Sequence, residues 1–253
     1  MSSLATAGLV FGCALAAALV AMRVARRLPE HHLSSESRDV VKLGLGVIAT
    51  LTALVLGLLI ASAKGTHDAQ EGAVRQLATD FGLLDRYLAH YGPQTKELRE
   101  LLRQIVTATL ERLWPEAGPR RGDLTPGTAR EAGDLLYTKL TELQPSTEAQ
   151  RAVKARALDL ASQLAHTRYR MYTQGDGSVP TPFLVVLGLW LVTLFAGYGL
   201  LAPRNATVVA VLVVCALSVS AALFLVLELS RPFEGVIRVS SAPLQQALAP
   251  VHD

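Results

Sequence analysis

The stretch LGLGVIATLTALVLGLLIASA, residues 43–63, decides how the rest of the chain is read. It contains no charged side chain, and it has the length a helix needs to cross a hydrocarbon core, about 20 apolar residues. Lys64 closes it. Three other segments share these properties: Leu4 to Met22, Phe183 to Ala202 and Thr207 to Leu227. The fold expected is an all-α integral membrane protein with four transmembrane helices arranged as two hairpins. The first hairpin takes residues 1–63 and the second 182–228. A helical soluble insertion, 64–181, lies between spans two and three, and a tail follows from 229 to 253.

Composition fits this division. The chain is 51% hydrophobic, too apolar for an ordinary soluble domain, yet 18% charged, enough for a sizeable wet portion. The insertion carries 16 basic against 15 acidic residues, so it lacks the basic stripe that a nucleic-acid partner requires. Cys13 and Cys215 fall inside the first and fourth apolar segments, where a thiol is a small apolar group; there is no disulfide framework and no zinc spacing. Arg23, Arg26 and Arg27 follow the first apolar segment and nothing basic precedes it. A cleaved signal peptide has the opposite order, so a retained span is expected.

The loop of the first hairpin, 23–42, holds Pro29 and the pair His31 and His32. No further histidine or cysteine stands near enough to complete a metal site, which leaves a solvated loop. Within the insertion, Val74, Leu77, Phe81, Leu84, Leu88 and Tyr91 alternate by three and four, one face of a helix that continues out of the second span. After the Gly92-Pro93 break, Leu98, Leu102, Ile105, Leu110, Leu113 and Trp114 supply a partner face, so 66–114 reads as an antiparallel pair. Residues 115–128 contain three prolines and three glycines and are expected as loop. Helices are expected over about 129–143 and 147–173, the second capped by Ser146 or Thr147.

Nothing resembles an enzyme or a cofactor site. No metal-binding helix motif, phosphate loop, nucleophile elbow or paired carboxylates occur. The Asn205-Ala206-Thr207 sequon abuts a span and is read as a chance match. The second span is more informative. Gly46, Thr50, Ala53, Gly57, Ala61 and Lys64 align small or weakly polar residues on one side. Such a face either packs inside the chain or, in an oligomer, lines a narrow pore with Lys64 near the mouth, where a cation ring would favour anions. At the end of the fourth span, Glu228 and Arg231 stand three apart and can pair. Pro232 then stops the helix, Phe233 can anchor at the membrane interface and Gly235 permits a turn. Lys and Arg near the span ends divide six against six between the two orientations, so charge does not choose a side.

The run Glu228-Leu229-Ser230-Arg231-Pro232-Phe233-Glu234-Gly235, with Val236 to Leu244 after it, resembles the closing signature of the bacterial bestrophin-like domain family. Val55 to Lys64 resembles that family's second-span motif, and the resemblance covers essentially the whole chain. Ser230 departs from it, since the family usually carries aspartate there. True bestrophins are pentameric anion channels whose pore is lined by the second span and whose termini are cytoplasmic. The resemblance therefore implies a homo-oligomeric, pentameric ion channel of a bacterial inner membrane, passing inorganic anions, with the insertion and both termini in the cytoplasm. Thr50, Leu54, Gly57, Leu58, Ala61 and Lys64 are the pore or neck candidates, and spans one and three are expected as lipid-facing support. The alternative is a non-conducting scaffold or signalling protein whose insertion binds a partner.

Overall fold

The structure, a computed structural model, describes residues 2–27, 29, 34–115, 126–174, 179–203 and 205–248, with backbone alone for 126–130 and 172–174. All of its regular elements are helical: α1 Ser3–Val24, α2 Ser35–Tyr91, α3 Lys96–Leu113, α4 Pro126–Glu142, α5 Glu148–Gln174, α6 Thr181–Leu201, α7 Ala206–Leu229 and α8 Ala242–Leu248. The chain divides into two compact units, one of residues 1–66 and 177–231, the other of 67–176 and 232–253.

The first unit contains α1, the opening part of α2, α6 and α7. Each includes a window long and apolar enough to cross a bilayer, and only 11% to 28% of each window is buried within the chain. That much exposed apolar surface is incompatible with water on every side, so this is a membrane protein. Three of the four helix starts are set by local chemistry. Ser2 Oγ accepts from Ala5 N at the start of α1, and Asn205 Oδ1 accepts from Val208 N at the start of α7, so the side chain of the sequon asparagine serves as a helix cap. Ser34 caps α2 by accepting from Ser37 N, so that helix begins well inside the loop expected over 23–42. His31 and His32 lie outside the described residues.

Span one packs inward along one side and leaves Leu4, Leu9 and Val20 exposed on the other. Its Ala7, Ala14, Ala18 and Met22 are buried, and α1 packs on both α6 and α7. The contact with α6 is backbone-close: a Cβ on Gly199 would lie 2.1 Å from the Ala18 carbonyl oxygen. Span three is equally engaged, because a Cβ on Gly197 would lie 2.4 Å from a Leu45 methyl of α2. Small residues let helices approach where hydrophobic burial gives no drive. Among the described residues, the glycines that do this are Gly197 and Gly199 of α6.

The second unit is a helical core of the rest of α2 with α3, α4, α5 and α8. The six expected α2 positions, Val74 to Tyr91, are all buried, as are Leu98, Leu102, Ile105, Leu110 and Trp114, while Leu113 is partly buried. Gly92 ends α2 at φ +128°, a conformation that favours glycine, and the Thr95 hydroxyl folds back on the Leu88 and Gly92 carbonyls at 2.5 and 2.8 Å. Asp85 accepts both arms of Arg99 at 2.8 and 2.7 Å, pinning α3 to α2. Thr147 caps α5 through Gln150 N, and the Gln150 amide donates to the Tyr91 carbonyl at 3.1 Å. Residues 116–125 of the expected loop lie outside the described residues. Its last three residues are helical instead, because a proline in the first turn of α4 loses no intrahelical hydrogen bond.

Candidate functional site

The inward side of α2 in the first unit is Leu45, Thr52 and Ala63, buried, with Leu56 and Leu59 packed against Leu187, Leu191 and Leu223. The opposite side carries every pore candidate. Thr50, Leu54, Gly57, Leu58, Ala61 and Lys64 are all exposed, and a Cβ on Gly46 or Gly57 would meet nothing within 4 Å. Leu54 and Leu58 are each 66% exposed. Of the two readings of the stripe, packing inside the chain is therefore not what this face does. Helix periodicity explains the outcome: the stripe and the leucine-rich side sit half a turn apart, and only one can turn inward. The Thr50 hydroxyl is satisfied by the Gly46 carbonyl at 2.9 Å, so it presents its methyl and acceptor lone pairs outward.

The terminal motif is split between the units. Glu228 and the helix-ending Ser230 are buried in the first, and Ser230 Oγ donates to the Val226 carbonyl at 2.7 Å. Because α7 ends at Leu229, Arg231 leaves the α-helical register; its side chain is exposed, and its backbone N–H donates to the Glu228 carbonyl at 3.0 Å. Pro232 onward belongs to the second unit. Phe233 is not an interfacial anchor but stacks edge-on against Trp114, centroids 5.3 Å apart at 89°. Trp114 Nε1 donates to the Val239 carbonyl at 2.8 Å, and Val239 N donates to the Pro232 carbonyl at 2.7 Å. Gly235 turns the segment at φ +81°. The fall of apolar burial into this motif has a simple cause: Trp114 needs a partner for its indole N–H once buried, and the returning tail supplies a free carbonyl.

Two features escaped the sequence reading. Helix α8 buries Leu244, and its start is visible afterwards in Ser240-Ser241-Ala242-Pro243, where Ser240 Oγ accepts from Ala242 N. Asp80 is 3% exposed, and its Oδ1 accepts from the Gln76 amide at 2.7 Å. Burial raises its pKa from the ordinary 3.8, opposed in part by that hydrogen bond. A carboxyl whose folded pKa is raised contributes most to stability below its unfolded value, and this contribution is lost as pH rises through the folded value. Asp80→Asn is thus expected to raise the thermal midpoint at pH 7, with the gain vanishing below about pH 4. Differential scanning fluorimetry across pH 4 to 8 measures it; an unchanged or lower midpoint at pH 7 would refute the assignment.

Among the described residues no cluster of histidine, cysteine and carboxylates could hold a metal. Among curated proteins none matches the chain. A bacterial bestrophin homologue from Klebsiella pneumoniae, seen in crystals in single-substitution forms, shares its fold: a tryptophan-to-alanine form gives TM-score 0.69 at 14% identity, covering 98% of this chain and 96% of that one, and a leucine-to-threonine form TM-score 0.67 at 12% identity, covering 94% and 96%. The crystal structure of a membrane protein carrying a proline-to-alanine substitution gives TM-score 0.68 at 11% identity over 96% of both chains. The bestrophin-like domain family itself matches residues 12–244, nearly the whole chain, and the protein belongs to that family.

Proposed function

We propose that the chain assembles into a homo-oligomeric ion channel, a pentamer, with inorganic anions as the permeant class. The carrying observation is the α2 face of Thr50, Leu54, Gly57, Leu58, Ala61 and Lys64. It is exposed on the single chain and small at its centre, where a Cβ on Gly57 would meet nothing within 4 Å. Around a symmetry axis this face makes a narrow apolar neck with a lysine ring at one end, and a cation ring selects for anions. Membership of a family that takes its name from bestrophins, and the shared fold, support the reading. The setting proposed is a bacterial inner membrane with the insertion and both termini in the cytoplasm.

Reconstitution into liposomes tests this. Chloride efflux above that of protein-free vesicles is expected, and Lys64→Glu is expected to lower the chloride-to-sodium permeability ratio about tenfold through local ion concentration at the mouth. No flux of either ion, with a known channel conducting in parallel, would overturn the channel reading and favour the non-conducting scaffold.

A further inference from the structure

In the first unit, the end of α1 and the start of α7 together wall a cavity of about 350 Å³. Both helices change character along it, and in the same direction. On α1, Leu19 gives way one turn later to Arg23, and the backbone N–H of Arg26 donates to the Arg23 carbonyl at 3.2 Å, which keeps Arg26 just beyond it. On α7, Asn205 and Ala206 stand at the start and Val209 lies one turn inside. The cavity is therefore apolar toward the middle of the spans and cationic at their ends.

The polar groups it can turn on a ligand are donors. Arg23 and Arg26 are exposed and form no ion pair among the described residues, and no carboxylate among those residues lines the cavity. Asn205 commits its Oδ1 to Val208 N, which leaves its amide N–H groups to offer. The backbone N–H groups of Ala206 and Thr207 belong to the first turn of a 24-residue helix, where no intrahelical acceptor exists. Two guanidinium groups beside one another suit a phosphate, since each presents parallel N–H groups to a pair of oxygens. A monatomic anion would have no use for the apolar wall.

We infer that this cavity binds the phosphate of an anionic phospholipid, with Arg23 and Arg26 on the phosphate oxygens and Leu19 and Val209 against the first carbons of the acyl chains. Basic pockets between spanning helices suit acidic head groups because the guanidinium charge is met at the depth where lipid phosphates lie. Among the described residues none of α2 lines the cavity, so the site does not depend on the channel reading.

The test uses full-length protein, delipidated in a neutral detergent, with bound dioctanoyl phosphatidylglycerol counted by native mass spectrometry. It is expected to bind about tenfold more tightly than dioctanoyl phosphatidylcholine, whose choline cancels the phosphate charge. Arg23→Gln together with Arg26→Gln is expected to remove that preference. Arg27→Gln together with Arg38→Gln takes the same charge from exposed arginines that do not line the cavity, and is expected to keep it. Equal losses in the two double variants would reduce the effect to diffuse surface charge and overturn the site. A wild-type protein that holds both lipids alike would overturn it too. Inorganic phosphate serves as competitor: failure to displace phosphatidylglycerol at equal concentration supports the lipid, whereas displacement would overturn the lipid as the source and give the two arginines a soluble phosphate instead.

Discussion

Gly199→Ala is expected to abolish accumulation of folded protein. The added methyl carbon would lie 2.1 Å from the carbonyl oxygen of Ala18, 2.8 Å from its carbonyl carbon and 2.9 Å from its Cα. Backbone cannot swing aside as a side chain can, so α1 and α6 must separate. Ordinary overpacking costs about 1–3 kcal/mol; a clash with main chain on the helix that α6 and α7 both pack against should exceed that. Gly197→Ala provides the contrast. The three atoms nearest its new methyl all belong to the Leu45 side chain, which can rotate or be shortened. A loss of about 1–3 kcal/mol is expected, largely recovered by adding Leu45→Ala. Gly188→Ala, with nothing within 4 Å, should be neutral. Monodisperse yield and the thermal midpoint in detergent measure the series. A Gly199→Ala protein as stable as wild type would show that the α1–α6 contact is not the close one described.

Trp114→Ala should have the second large effect. The indole is 3% exposed, faces Phe233 edge-on and gives its N–H to Val239. Truncating a buried tryptophan costs about 3–5 kcal/mol, and here the loss is concentrated on whatever holds residues 232–248. The expected result is rapid hydrogen exchange and protease cleavage within that segment while the four apolar helices stay protected. Trp114→Phe separates the two contributions. It retains a ring for Phe233 and removes the hydrogen bond, so a loss of about 1–2 kcal/mol is expected. Equal protection of the tail in wild type and Trp114→Ala would remove Trp114 from its attachment.

The sequence made the periodic parts legible. Val74 to Tyr91 recur by three and four, and such a stripe has one way to be buried, so the α2 core face could be read directly. Small residues carry no such direction. Gly57 and Gly199 are alike in a sequence, both glycines in apolar runs, yet the first faces outward and the second lies against the backbone of α1. Only the packing tells them apart. For the same reason the inward side of span one could not be read: its alanines look featureless until α6 and α7 are laid on them. Phe233 was misplaced because an aromatic residue after a span suits the membrane interface as well as a protein core, and the choice depends on Trp114, more than a hundred residues earlier. Asp80 could not be separated from the other insertion carboxylates, since its position falls beside the stripe of Leu77, Phe81 and Leu84 and not within it.

The hydrogen bond from Trp114 to Val239 joins residues 125 positions apart, and both α6 and α7 lie between them. This bears on biogenesis. While the ribosome is still making the third and fourth spans, the helical unit begun at residue 67 lacks Phe233, Val239 and Leu244, and the surface they will cover is open to solvent. Completion waits on residues 232–248, made after the fourth span. Chains stalled or truncated before residue 232 should therefore emerge with inserted spans and an adhesive, unfinished helical unit, a target for chaperones and proteases.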